Sequence, residues 1–145
     1  MGSIERLDET LHEVTEVAVI THRRSGVLLL HSAQRRWHFP DATVRSSQRW
    51  DEALRNGVQE TTGIDDLSIG QVLLVQNYAA GEVDERPQFG IFFSCTTDRP
   101  EALGDREHRW IGDRTAAEEL DLFHPLIAEL VAMALDPEDR ANTDP

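Results

Sequence analysis

The sequence predicts a mixed α+β domain in which helices layer onto a sheet, and three features carry that expectation. Val14 to Thr21 and Gly26 to Ser32 are runs of aliphatic and β-branched residues. The short connection between them, Arg23-Arg24-Ser25-Gly26 with Gly26 available for positive φ, reads as the turn of a hairpin. Arg49 to Thr62 is a single long helical segment: Trp50, Leu54, Val58 and Thr61 recur at near-helical spacing, and Gly63 stands where a left-handed residue ends a helix. Gln88 to Thr97 is an apolar strand, and Leu126, Ile127, Leu130, Val131, Ala134 and Leu135 form the buried stripe of a last helix behind Pro125. One long helix between strands, and another after them, gives an α+β or α/β/α layering.

The remaining elements fill this frame. Ser3 could cap a short helix with Ile4, Leu7, Leu11 and Val14 on one side, or the chain from Glu13 could already be strand. Trp37-His38-Phe39-Pro40 leads into a polar loop from Asp41 to Gln48. Ser68 to Tyr78 is the next strand, Ala79 to Pro87 a flexible loop, and Glu107 to Ile111 a short strand around Trp110. The domain is therefore expected over residues 14–135, with an N-terminal segment over 1–13 and an acidic tail over 136–145.

Composition narrows the function classes. With 145 residues the chain suits one core. No apolar run approaches the roughly 20 residues that span a bilayer, and Met1 to Glu9 has neither the basic start nor the apolar stretch of a secretory signal; a cytoplasmic protein is expected. The formal net charge is −13, and all 14 basic residues are arginine. That field repels nucleic-acid phosphates, so no nucleic-acid partner is expected. Abundant carboxylates without lysine match two origins, adaptation to molar salt or arginine bias from a GC-rich genome. The first predicts that the melting temperature rises steeply with KCl, because the Debye length falls to about 3 Å at 1 M and self-repulsion is screened. Thermal melts from low to molar salt check this, and a flat or falling trend removes the salt-adaptation reading. Cys95 is the only cysteine, so no internal disulfide forms; within its apolar strand it reads as a small core residue.

A family resemblance enters at residues 37–64, WHFPDATVRSSQRWDEALRNGVQETTGI. Trp37, Phe39, Pro40, Ala53, Val58, Glu60, Gly63 and Ile64 fall where Nudix (MutT-like) hydrolases carry a tryptophan, a Phe/Leu-Pro turn and the box Gly-x5-Glu-x7-Arg-Glu-aliphatic-x-Glu-Glu-x-Gly-aliphatic. VAVITHRRSGVLLLHSAQRRWHFP resembles the family's opening hairpin, and RPQFGIFFSCTTDRPEALGDREHRWIGDRTAAEEL resembles its late strands. The similarity spans about residues 14–135 and implies the Nudix fold, an α/β/α sandwich with a mixed central sheet.

The same resemblance implies a degenerate catalytic box. In the family, carboxylates at i, i+3 and i+4 of the helix hold Mg²⁺ or Mn²⁺, which neutralise a substrate's diphosphate and activate water. The matching positions here are Gly57, Glu60 and Thr61; the earlier box Glu is Gln48, the box Arg is Asn56, and the opening glycine pair is Asp41-Ala42. Shifting the register by one residue puts Arg55 on the box Arg but leaves Asn56, Gln59 and Glu60 at the carboxylate positions and loses Gly63-Ile64. One carboxylate survives either way.

Candidate site residues follow. Glu60 is the candidate metal ligand and, with Glu107 from the late-strand region, the candidate catalytic pair; the alternative for each is a solvated surface charge. His38, Asp41, Gln48, Asn56, Gly57 and Thr61 are the candidate ligand cleft. Asp41 can equally serve the turn, since Asp tolerates left-handed geometry, and Gly57 reads either as room for a ligand or Trp50, or as close packing on a strand. The six histidines show no zinc-type spacing. The leading expectation is a Nudix-fold cleft for a nucleoside-diphosphate-type or related small molecule with weak or no hydrolysis. The alternatives are an active Mg²⁺- or Mn²⁺-dependent hydrolase using Glu60 and Glu107, and a regulatory or interaction module. The oligomeric state is open, a homodimer included.

Overall fold

A computed structural model describes residues 14–44, 49–77 and 89–135. The candidate N-terminal helix, the loop from Ala79 to Pro87, the acidic tail and Gln48 lie outside these residues. In chain order the elements are β1 (Val14–His22), β2 (Gly26–Ser32), β3 (Arg36–His38), β4 (Asp41–Val44), α1 (Trp50–Thr62), β5 (Ser68–Asn77), β6 (Phe89–Thr96), a 3₁₀ turn (Pro100–Leu103), β7 (His108–Ile111), α2 (Arg114–Glu118) and α3 (Leu126–Leu135).

The strands form one mixed sheet with the path β3-β2-β1-β6-β5, joined by β4 on β1 and β7 on β2. β1 runs parallel to β6 from Val14↔Phe89 to Thr21↔Thr96. Its other edge is shared, antiparallel, between β4 (Val14↔Val44 to Val17↔Asp41) and the start of β2 (Thr21↔Val27).

Side-chain alternation along these strands divides the core in two. Val17, Val19, Val27, Leu29 and Phe92 face one way, onto Ile127, Ala128, Leu130, Val131 and Ala134 of α3. Ala18, Ile20, Leu28, Leu30, Phe93 and Cys95 face the other, onto Leu54 and Val58 of α1 and onto Ile64, Leu67 and Leu103. The expected α/β/α sandwich is present. α1 ends at Gly63, whose φ of 81° is the left-handed conformation expected there, and whose N–H donates to the Gln59 carbonyl at 2.8 Å.

Two readings from the sequence need correction. The stretch from Asp41 is not wholly loop: Asp41–Val44 is a strand, extended by its ladder to β1. Asp41 accordingly has no left-handed turn role; the one non-glycine residue with positive φ among the described residues is Arg36, at 57°. The short helix α2 was also not legible as an element, although Asp113 caps it by accepting the Ala116 N–H at 2.7 Å.

Candidate functional site

α1 carries half of the candidate site residues, and their orientation follows from which of its sides is buried. Leu54 and Val58 point into the sheet with no exposed surface. Asn56, Glu60 and Thr61 lie on exposed parts of the helix. Glu60 makes no ion pair or hydrogen bond among the described residues. The Thr61 hydroxyl turns back on its own helix and donates to the Gly57 carbonyl at 2.9 Å, a bond that occupies the side chain locally.

Gly57 faces β4. A Cβ built on it would lie 2.5 Å from the Ala42 Cβ and 3.3 Å from both the Ala42 Cα and the Asp41 carbonyl oxygen. The glycine therefore serves close packing of helix on strand in the direction its side chain would take. Of the two readings open in the sequence, packing is the one realised. Trp50, half exposed at the start of α1, lies over Phe93 with ring centroids 5.0 Å apart and planes 6° from parallel, so it caps the core instead of entering it.

The other candidates sit elsewhere. The Glu107 carboxylate lies 3.0 Å from the His31 Nδ1, and the His31 ring packs on Trp37 at 4.9 Å. Trp37 belongs to the α3 layer. Glu60 is exposed on α1, while residues 102–106, just before Glu107, lie against Gly63 at the end of that helix. Asp41 pairs with Arg35 at 2.6 Å. His38 is buried, with its Nδ1 3.1 Å from the Arg36 carbonyl; burial and then the Arg35 guanidinium push its pKa down, which keeps the ring neutral near pH 7. Cys95 is buried, its thiol is pushed up to about 12 chiefly by burial, and its Sγ contacts the Phe93 carbonyl at 3.6 Å. It is the small core residue expected.

The donor set does not suit the family's divalent metals. Mg²⁺ requires several hard oxygen ligands in near-octahedral array. Gly57, Glu60 and Thr61 offer a packed glycine, one exposed carboxylate and a hydroxyl bonded to backbone. Among the described residues no group of three or more His, Cys, Asp or Glu side chains could hold a metal ion.

One group escaped the reading from sequence. Glu16 is only 1 % exposed and belongs by parity with Ala18 and Ile20 on the α1 side of β1, between Ala42 of β4 and Ile91 of β6. Burial, and then the negative charge of Asp51 in the first turn of α1, raise its pKa to about 7. The alternation that places Ala18 and Ile20 in the core was the available signal.

No helix among the described residues is long and apolar enough to cross a membrane. No family model matches the chain, and no curated protein matches it in sequence. Solved structures do match in shape. A hydrolase of the NUDIX family from Clostridium perfringens superposes with a TM-score of 0.67 at 15 % identity, covering 88 % of this chain and 98 % of that one. The Escherichia coli dihydroneopterin triphosphate pyrophosphohydrolase gives 0.62 at 14 % identity over 81 % and 92 % of the two chains. An ADP-ribose pyrophosphatase from Streptococcus suis gives 0.58 at 16 % identity over 88 % and 92 %. Identities this low speak to architecture alone, and on that ground the chain has the Nudix fold.

Proposed function

We propose that this Nudix-fold chain binds a nucleoside-diphosphate-type or related small molecule and hydrolyses it weakly or not at all. The observation that carries the loss of hydrolysis is the contact between Gly57 and Ala42: the helix position that should present a metal-binding carboxylate is packed onto β4. Glu60 alone cannot replace the missing ligands, because one carboxylate neither completes an oxygen shell nor offsets the dehydration of Mg²⁺. Retention of a ligand cleft is supported by the fold shared with proteins described as acting on ADP-ribose and dihydroneopterin triphosphate. The half-exposed indole of Trp50 beside α1 offers a flat apolar surface of the kind a planar base can cover.

The test is phosphate release from ADP-ribose, dinucleoside polyphosphates and nucleoside triphosphates with Mg²⁺ or Mn²⁺, at low and molar salt. Turnover far below about 1 per second, the lower end of the ordinary enzyme range, is expected, together with weak metal binding by calorimetry. Ordinary turnover that is lost in Glu60→Gln would establish an active hydrolase instead. Mass spectrometry of ligands carried through purification separates a binding protein from an interaction module: a nucleotide-derived molecule is expected, and an empty protein that none of these compounds stabilises would count against the cleft.

A further inference from the structure

Glu16 lies on β1 one alternation from Ala18, whose ladder partner on β6 is Phe93, and Trp50 at the start of α1 stacks on Phe93 with ring centroids 5.0 Å apart, so the first turn of α1 is brought to the side of the sheet where Glu16 is buried. Glu16 is 1 % exposed, and its Oε1 has no hydrogen-bond partner. Asp51, the second residue of α1, is in the same condition at one oxygen: its Oδ1 is buried and unpartnered, while its Oδ2 lies 3.4 Å from both Arg49 and Arg55. Two buried acceptors with no donor are costly apart, and a desolvated negative charge more so. A single proton resolves both, because a protonated carboxyl is a donor and a neighbouring carboxylate accepts from it.

We infer that Glu16 and Asp51 form an acid–carboxylate pair sharing one proton, a latch that holds the start of α1 against β1 and releases when the proton leaves. The proton resides on Glu16. Burial works against ionised Asp51, yet Arg49, the N–H groups at the helix start and Arg55 outweigh it and draw its pKa down. On Glu16 burial and the Asp51 charge both favour the protonated form. Among the described residues the other titratable groups around Glu16 do not compensate it. On β6 the Cys95 thiol stays neutral. On β4 the neighbour is Ala42, while Asp41 pairs with Val17 in the ladder, on the alternate side of the strand, and is engaged by Arg35. Arg49 and Arg55 are committed to Asp51.

The sign of the pH dependence follows. The folded protein holds the Glu16 proton more tightly than the unfolded chain, so the contribution is complete below about pH 4.5 and is lost as pH rises through about 7. Thermal melts of the intact chain and of Glu16→Gln, compared from pH 4.5 to 8.5, should diverge. Relative to the intact chain, the variant should gain about 5–10 °C across that window, the value of a shift of this size in a domain this large. Asp51→Asn removes the like charge while keeping an amide oxygen as acceptor, so its transition should persist but move toward lower pH; it also covers the case in which Glu16→Gln folds poorly. Carboxyl ¹³C NMR should show one Glu titrating near neutral pH and absent from Glu16→Gln. Hydrogen exchange corrected for intrinsic rates should show the amides of residues 53–55, beginning with the Ala53 N–H that donates to the Arg49 carbonyl, losing protection above pH 7 ahead of the sheet. Parallel melting profiles for the intact chain and Glu16→Gln would overturn the latch. So would stabilisation by Mg²⁺ or Ca²⁺ at pH 8 that requires Glu16, since the pair would then hold a metal ion and not a proton.

Discussion

Leu54→Ala is expected to destabilise the fold by about 2–5 kcal/mol, the range for removing a fully enclosed leucine side chain. Leu54 has no exposed surface and lies in the layer formed by Ala18, Ile20, Leu28, Phe93 and Cys95. The loss has two parts, the transfer of the deleted methyl and methylene groups and a cavity that the surroundings cannot fill. Relaxation is limited here because the wall opposite Leu54 is β1, held on one edge by its parallel ladder to β6 and on the other by β4 and β2. Chemical denaturation of the variant against Asn56→Ala makes the comparison internal. Asn56 is exposed on the same helix, so its replacement should stay within about 0.5 kcal/mol. A Leu54→Ala cost below that same margin would mean that α1 does not pack on the sheet in this orientation.

The layers were legible because long strands repeat their alternation. β1 offers Val17 and Val19 to one face and Ala18 and Ile20 to the other, and β2 does the same with Val27 and Leu29 against Leu28 and Leu30. β4 was not, because Asp41-Ala42-Thr43-Val44 is too short to show a period and its identity as a strand comes from pairing with β1. That Gly57 and Thr61 stand where the resemblance implies carboxylates is read from the sequence and needs no coordinates. What the helix does with those positions was not plain. The step of 100° per residue puts Gly57 on an inward side but does not say whether a ligand or a strand meets it. Glu16 is the opposite case: its alternation with Ala18 and Ile20 points inward, but a carboxylate in a strand is ordinarily solvated.

Gly57→Ala should destabilise the protein even though alanine is the better helix former. Within a helix that exchange is worth about 1 kcal/mol in alanine's favour, and here it is opposed by overpacking, which costs about 1–3 kcal/mol. The contact at issue is short and has little give. The new Cβ would stand 2.5 Å from the Ala42 Cβ, with the Ala42 Cα and the Asp41 carbonyl at 3.3 Å, and Ala42 is held on β4 by its pairing with Glu16. Only movement of α1 away from the strand relieves it. Ala42→Gly should therefore rescue Gly57→Ala, and a double-mutant cycle should return a favourable coupling of at least about 0.5 kcal/mol, the range for residues in direct contact. Additive effects would show that the close approach does not exist in solution. The same geometry bears on function, because Gly57→Glu would need still more room than alanine. Restoring that box carboxylate should lower stability before it raises metal affinity. Combining Gln48→Glu, Asn56→Arg, Gly57→Glu and Thr61→Glu should give measurable Mg²⁺ binding by calorimetry only when Ala42→Gly is added. Tight binding by the four-fold variant with Ala42 intact would mean that the helix already has the freedom this packing denies it.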